Sequence, residues 1–370
     1  MFGLIDQSSY RKDHLLGIKI QSCHCTQNVS CCGEIFKDPM KKWIIGFQSI
    51  LKRKIPLVST QLSFRDHLGS WKVRWGIRRN RYRIPPGLYG VGNPDKQDYV
   101  FVTANYKISF DKLRKELKGI DAWILVLDTK GINVWCAAGK GTFGTEELIR
   151  QIIKVGLAQI ITHRTLILPQ LGASGVAAHI VQKDTGFKVI FGPVYSHDIT
   201  AFINNNLKAT KEMRKISFSF KERMVLIPIE FVSSLKLIPF FIIFFGLFHL
   251  IRGEGFFYTF RRDFSLFIIT IISGTVFVEF LLPWIPFRAF AMKGWILGMI
   301  TVFIGTVFLG VSGMERVAHI LILPPLSSFL ALLFTGSTPY TSLSGVQKEV
   351  LMAVPLMIIS VISGIVLKII

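Results

Sequence analysis

From residue 224 onward the chain is a succession of long apolar runs, and this constrains its fold more than any other feature of the 370 residues. A helix needs roughly 20 apolar residues to cross a hydrocarbon core about 30 Å thick. Five runs meet or approach that length: residues 235–251, 264–284, 292–311, 317–335 and 350–370. Consecutive runs of this kind, joined by short linkers, argue for an all-α transmembrane domain rather than buried helices of a soluble core. The first run is the least regular, because Glu230 and Lys236 interrupt its approach. Residues 224–234 read equally well as an interfacial segment.

The charge is divided at the same point. Residues 1–223 hold 35 basic and 17 acidic side chains, whereas residues 224–370 hold nine and six. The first part therefore reads as a basic soluble region. No charged start followed by an apolar run marks a signal peptide, so this region is expected in the cytoplasm, on a multi-pass protein of the cytoplasmic membrane. Lys208, Lys211, Arg214, Lys215, Lys221 and Arg223 precede the first span, in keeping with the positive-inside rule. Arg252, Arg261 and Arg262 fall between the first two spans and argue the other way. The basic excess accompanies no nucleic-acid motif. Anionic lipid head groups are its simpler partner.

Three regions are expected: an extension over 1–55, a soluble domain over 56–223 and a membrane domain over 224–370. Within the extension, residues 41–54 (KKWIIGFQSILKRK) have the spacing of a basic amphipathic helix lying on a membrane surface. Cys23, Cys25, Cys31 and Cys32 follow no zinc or iron–sulfur spacing. They read as reduced thiols, though a soft metal would favour such a cluster.

The soluble domain alternates strand and helix patterns. Residues 99–104, 122–128, 165–168 and 187–191 read as strands. Residues 109–117, 145–155, 175–182 and 198–205 read as helices, with Thr145 as an N-cap and two acids in the first turn after it. This alternation predicts a mostly parallel sheet with helices on both faces, an α/β domain of Rossmann-like type. Ligands bind such sheets at the carboxyl ends of the strands. Those ends carry Thr103-Ala104-Asn105, residues 133–140 (NVWCAAGK), Gln170-Leu171-Gly172 and Gly192-Pro193-Val194.

Cys136 stands out in this set. Ala137 and Ala138 are small, Gly139, Gly141 and Gly144 allow close approach, Trp135 offers an aromatic wall and Lys140 a cation. A thiolate in such a setting is a nucleophile or a metal ligand; an inert buried thiol in a small-residue turn fits the residues as well. His163, His179 and His197 are the bases a nucleophilic cysteine would need, but none has a family-like catalytic context. No P-loop is present, and GKGTFG matches a dinucleotide fingerprint without its usual surroundings.

Residues 133–140 resemble the signature of the corrinoid proteins of microbial mercury methylation, the HgcA family, which is related to the corrinoid domains of corrinoid iron–sulfur proteins. The resemblance extends to PGLYGVGN (86–93), VTANYKISF (102–110), LVLDTKGINVWCAAGKGT (125–142), LPQLG (168–172), GPV (192–194) and FTGSTPYTSLSGV (334–346), covering roughly 55–370. It implies a corrinoid-binding α/β domain followed by about five membrane helices. It implies that Cys136 ligates the cobalt of cobalamin from the lower face. Asn133, Val134, Trp135, Ala137, Ala138, Gly139 and Lys140 would then form a cap against the corrin. Gly141, Thr142, Thr103, Ala104, Gln170, Leu171, Gly172, Gly192, Pro193 and Val194 are the further cofactor-binding candidates. The residues suit this reading. With Asn133 as N-cap, Cys136 falls at N3 of a short helix, where free N–H groups favour the thiolate, and the alanines would leave room for the corrin plane. No D-x-H-x-x-G pattern supplies a competing histidine ligand.

The resemblance further implies methyl transfer to Hg(II), a ferredoxin-like iron–sulfur partner that delivers electrons and mercury, and a folate-dependent methyl donor. A different metal, metalloid or thiol acceptor, or a membrane sensor or transporter with a ligand-binding domain, are the alternatives. In the membrane half, Gly294 and Gly298 form a small-xxx-small pair, and Glu279 is an intramembrane carboxylate that reads as a functional candidate or, near the interface beside Pro283, equally as an anchor. The loop over 336–345 is expected to dock the soluble domain or the ferredoxin. An anchor and docking platform is expected rather than a transporter.

Overall fold

The computed structural model describes residues 42–51, 53–217, 219–252, 256–337 and 343–369. Cys23, Cys25, Cys31 and Cys32, and residues 338–342 of the expected docking loop, lie outside the described residues. The described elements belong to one compact unit, Trp43–Ile370.

The α/β part begins with β1 (Ile44–Ile50), β2 (Arg53–Val58) and α1 (Phe64–Arg74). Next come β3 (Gly87–Val91), β4 (Tyr99–Ala104), α2 (Lys107–Glu116) and β5 (Ala122–Leu127). They are followed by α3 (Val134–Gly139), α4 (Thr145–Val155), α5 (Leu157–Ile160) and β6 (Thr165–Leu168). The part closes with α6 (Ala178–Thr185), β7 (Lys188–Phe191) and α7 (Ile199–Asn204). The strand order is β1-β2-β3-β5-β4-β6-β7. β5, β4, β6 and β7 are mutually parallel, as the sequence pattern predicts. β3 runs antiparallel to β5 and β1 antiparallel to β2, so the whole sheet is mixed.

Residues 41–54 do not form the expected surface helix. β1 pairs with β2 across a turn at Leu51, whose φ is +49°, and its side chains alternate between half-buried and exposed. The apolar positions fit a helical face in sequence, but period two half-buries Ile44, Gly46, Gln48 and Ile50 in turn, and the pairing with β2 fixes the segment as a strand. The sheet therefore starts at Ile44, and the boundary expected at residue 55 falls inside β2.

Both faces of the central strands are buried. Val100, Val102 and Ala104 of β4 and Trp123, Leu125 and Leu127 of β5 pack under Leu148 and Ile152 of α4. Phe101, Ile124 and Val126 face Phe110 and Leu113 of α2 and Phe202 of α7. This is why these strands read as unbroken apolar runs rather than alternating ones. The N-cap of α4 is Gly144 rather than Thr145. Thr145 Oγ1 instead accepts from the Ala177 N–H at 2.8 Å, a longer-range tie that competes with capping.

After α7 come α8 (Phe220–Met224), α9 (Ile227–Ser234), α10 (Ile238–Arg252) and α11 (Phe256–Ile272). A π-helical turn, Ser273–Phe277, leads into α12 (Val278–Leu281), and α13 (Phe290–Phe308), α14 (Gly313–Ser337) and α15 (Leu343–Ile369) complete the chain. Among the described residues, five helical stretches are long and apolar enough to cross a membrane: Phe220–Ile251, Phe257–Leu281, Phe290–Phe308, Gly313–Phe334 and Gly345–Ile369. The second starts seven residues before the expected run and so takes in Asp263. Gly294 and Gly298 do bring helices together: a Cβ at Gly294 would lie 2.6 Å from Ala331 Cβ, and one at Gly298 2.9 Å from Ser327 Cβ. Ser327 and Ser328 donate across the same contact to the Gly294 and Ala291 carbonyls, at 2.8 and 2.7 Å.

Candidate functional site

The chain runs from β4 outward to β5 and then returns past β4 to β6, so the connections diverge at the carboxyl ends of β4 and β6. That divergence opens a crevice in parallel sheets. A cavity of about 620 Å³ occupies it. Its lining takes in Thr103, Asn133, Val134, Trp135, Leu171, Gly192, Pro193 and Val194 among the sequence-predicted residues, along with His67 and His197.

Cys136 sits on α3 beside this crevice. Asn133 is the N-cap, in extended conformation, and its Oδ1 accepts from the Cys136 N–H at 2.9 Å. Cys136 is thus N3, as the sequence spacing suggests. It is half-buried. Burial pushes its thiol up from the ordinary value, while Arg79, Lys140 and the Asn133 contact pull it down. The net direction is upward. The expectation that the helix end alone would favour the thiolate is therefore corrected: desolvation of the sulfur outweighs the nearby positive groups.

The neighbours of Cys136 divide into two sets. Gly139 and Lys140 are exposed, Trp135 is half-buried, and a Cβ built on Gly139 meets nothing within 4 Å. Val134, Ala137 and Ala138 face the other way, into the core with Phe143 and Val176. The alanines do not leave room for a ligand on the open side. Ala138 packs against Gly175: a Cβ at Gly175 would lie 3.0 Å from Ala138 Cα and 2.2 Å from the Phe143 carbonyl oxygen. Gly141 adopts φ +76°, and the Thr142 and Phe143 N–H groups donate back to the Ala137 carbonyl at 2.9 and 3.1 Å, which closes the helix end. Ala104 is likewise a core residue, fully buried. The 3-10 turn Gln170–Gly172 packs on α3. There Gln170 Oε1 is buried with no hydrogen-bond partner among the described residues, an acceptor suited to a ligand amide.

Asn105 was legible only as the end of a strand, yet it holds the loop that carries α3. Its Oδ1 accepts from the Thr129 hydroxyl and the Gly131 N–H, both at 2.9 Å, and its Nδ2 donates to Asp128 at 2.9 Å. Lys130 and Gly131 both have positive φ, so the loop turns sharply just before Asn133. On the crevice's other wall, α1 is locked to α2. Asp66 and Asp111 receive Lys107 and Arg114, all four buried. Burial pushes Asp66 up, but the Lys107 contact and the Ser63 cap hold its carboxyl at about 2.

The histidines separate as well. His163 Nε2 contacts the Asp98 carbonyl at 2.9 Å and its Nδ1 accepts from the Thr165 N–H, at the amino end of β6 and away from Cys136. His179 is exposed at the start of α6. His197 stacks on Tyr195 with ring centroids 5.2 Å apart and borders the crevice.

Among the long apolar helices, Glu279 is fully buried and neither carboxylate oxygen has a hydrogen-bond partner among the described residues. It is not the only acidic group within the bundle. Asp263, 2% exposed, lies 3.0 Å from His249 Nε2 and 2.9 Å from His319 Nε2 and is ion-paired to Lys368. Sequence placed this carboxylate outside the second span, and its partners come from α10, α14 and α15.

Residues 78–203 match the family described as CO dehydrogenase/acetyl-CoA synthase delta subunit. Among curated proteins, the gamma subunit of the acetyl-CoA decarbonylase/synthase complex of Archaeoglobus fulgidus is 30% identical over 130 residues, 35% of this chain and 27% of that protein. The corresponding subunit of Methanocaldococcus jannaschii is 31% identical over 140 residues, 37% of this chain and 28% of that protein. The Methanopyrus kandleri subunit is 30% identical over 128 residues, 34% of this chain and 27% of that protein. The chain thus spans little more than a quarter of the length of these relatives, and the family match ends before the apolar half.

Proposed function

We propose that this chain is a membrane-bound corrinoid protein in which Cys136 is the lower ligand of cobalt, and that it transfers a methyl group to Hg(II). The observation that carries the reading is the placement of Cys136: at N3 of a capped helix, half-buried, on the strand-end edge where the β4 and β6 connections diverge. The residues present fit a corrinoid. A soft thiol donor, open space above Gly139 and the orphaned Gln170 Oε1 together match a large ring that carries amide groups. The matched segment and the naming of its relatives as subunits of acetyl-CoA-forming complexes support a corrinoid methyl carrier in general.

The bound corrinoid would supply a cobalt centre able to accept a methyl group and give it up to an electrophile. The chain's own residues then have defined tasks. Asn133 fixes the backbone of Cys136, and Asn105 fixes the loop ahead of it. Burial keeps the free thiol protonated, so metal ligation must release a proton, which Arg79 and Lys140 favour. As a thiolate, Cys136 would hold the cobalt and supply a stronger electron donor than an imidazole, which would suit giving up the methyl group to an electrophile such as Hg(II). Electrons and mercury come from a ferredoxin-like partner and the methyl group from a folate-dependent donor in this reading. The α/β domain lies in the cytoplasm, and the helices anchor it.

The test uses the purified chain loaded with cobalamin. Cys136→Ala is expected to alter the cobalamin absorption spectrum and abolish methylmercury formation; an unchanged spectrum with retained methyl transfer would sink the assignment. A panel of metal, metalloid and thiol acceptors decides which is native. The buried Asp263 cluster favours a second reading, a transporter, because ionisable groups inside membrane bundles commonly serve transport. Its charge is already matched by Lys368, which favours the anchor. Hg(II) uptake by vesicles holding the full chain would reverse that preference.

A further inference from the structure

A cavity of about 1260 Å³ opens among the long apolar helices at the start of α13 and α15. Its composition is two-sided. Met292, Trp295 and Leu356 give it apolar walls, while Arg223, Arg288, Lys293 and Lys348 bring basic groups from α8, the α12–α13 loop, α13 and α15. The acidic residue in the lining, Glu349, already accepts from the Ala291 N–H at 2.6 Å.

Lys293 is the informative group. It is only 8% exposed, and its ammonium donates to the Leu282 carbonyl. No carboxylate lies within ion-pair distance of it among the described residues. A buried ammonium with a neutral acceptor alone is costly unless an anion completes its shell. An anion at this place would also face Arg288 and Lys348, both exposed at the rim.

We propose that this cavity binds the phosphate-bearing headgroup of an anionic phospholipid. The walls decide between a lipid and a soluble anion. They are apolar and continue along α13 and α15, two helices long enough to span a bilayer, so an acyl chain can follow where the phosphate is held. The cavity also lies at the end of the bundle where α8 joins the α/β part, the depth at which headgroups sit. Basic pockets between membrane helices take anionic headgroups by this combination of charge and depth. The site would fix the start of the bundle to the bilayer and hold α8 against α13. It does not depend on the chemistry at Cys136.

Native mass spectrometry of the detergent-purified full chain, equilibrated with equimolar phosphatidylglycerol and phosphatidylcholine, is the test. Retention of phosphatidylglycerol over phosphatidylcholine by about tenfold is expected. The rim variant Arg288→Glu/Lys348→Glu should bring that ratio near one, and Lys293→Met should lower it in any preparation that stays folded. The rim variant keeps the test decisive if the buried one misfolds. Equal retention of the two lipids, or a rim variant that keeps the preference, overturns the proposal. So does displacement of phosphatidylglycerol by millimolar inorganic phosphate, which would mark a site for the free anion.

Discussion

Replacing Asn105 by Ala should loosen the Cys136 helix without touching it. Four hydrogen bonds converge on this side chain, but their losses are unequal. The Thr129 hydroxyl keeps the Ile132 carbonyl at 2.6 Å, and the Thr129 N–H keeps the Leu127 carbonyl at 3.1 Å. The Gly131 N–H has no such substitute: it is buried, and Asn105 Oδ1 is its acceptor. Stranding it costs about 1–3 kcal/mol, and the lost bond to the Asp128 carboxylate about 1.5 kcal/mol more. The sum, about 3 kcal/mol, corresponds to roughly a hundredfold rise in local opening. Two measurements read this directly: amide exchange of the 128–139 peptide and the alkylation rate of Cys136, followed by peptide mass spectrometry. Both should rise by one to two orders of magnitude, with the 165–168 strand unaffected. Unchanged Cys136 alkylation would refute the idea that Asn105 holds the loop under α3.

Asn133→Ala removes a cap worth about 1 kcal/mol and should raise Cys136 alkylation about fivefold, whereas Asn133→Asp keeps the cap and should leave the opening rate near wild type. Because burial raises the Cys136 thiol and Arg79 lowers it, its alkylation-versus-pH midpoint should exceed that of a free thiol and move higher still in Arg79→Ala; a downward move would contradict the charge assignment. Gly175→Ala places a Cβ 2.2 Å from the Phe143 carbonyl and should displace α3, seen as lowered thermal stability and a more exposed Cys136. Asp66 titrates at about 2 when folded against 3.8 for the unperturbed group, so its contribution of about 2 kcal/mol is complete above 3.8 and lost as the pH falls toward 2. Asp66→Asn should flatten that acid limb of the unfolding curve.

Much of the fold was legible because burial writes itself into composition. β4, β5 and β6 are continuous apolar runs since both faces are covered, and their expected bounds differ from the observed ones by at most one residue. Residues 41–54 were misread because Trp43, Phe47, Ile50 and Leu51 suit a helical face as well as a strand, and only the partner β2 decides between them. At the site, the Asn133 cap and the N3 position of Cys136 follow from local spacing. The facing of Ala138 does not, because it packs against the backbone of Gly175, a contact made across 37 residues of chain.

The sequence by itself determined the apolar spans, the parallel βα pattern and a capped cysteine among small residues, because each depends on periodicity or on neighbours within one helical turn. Tertiary structure alone decided the strand order that sets the first turn of α3 at a crevice, the upward push on the Cys136 thiol, the Asn105 brace and the convergence of His249, Asp263, His319 and Lys368. Those depend on desolvation and on contacts between segments remote in sequence, and neither quantity is carried by the order of residues along one element.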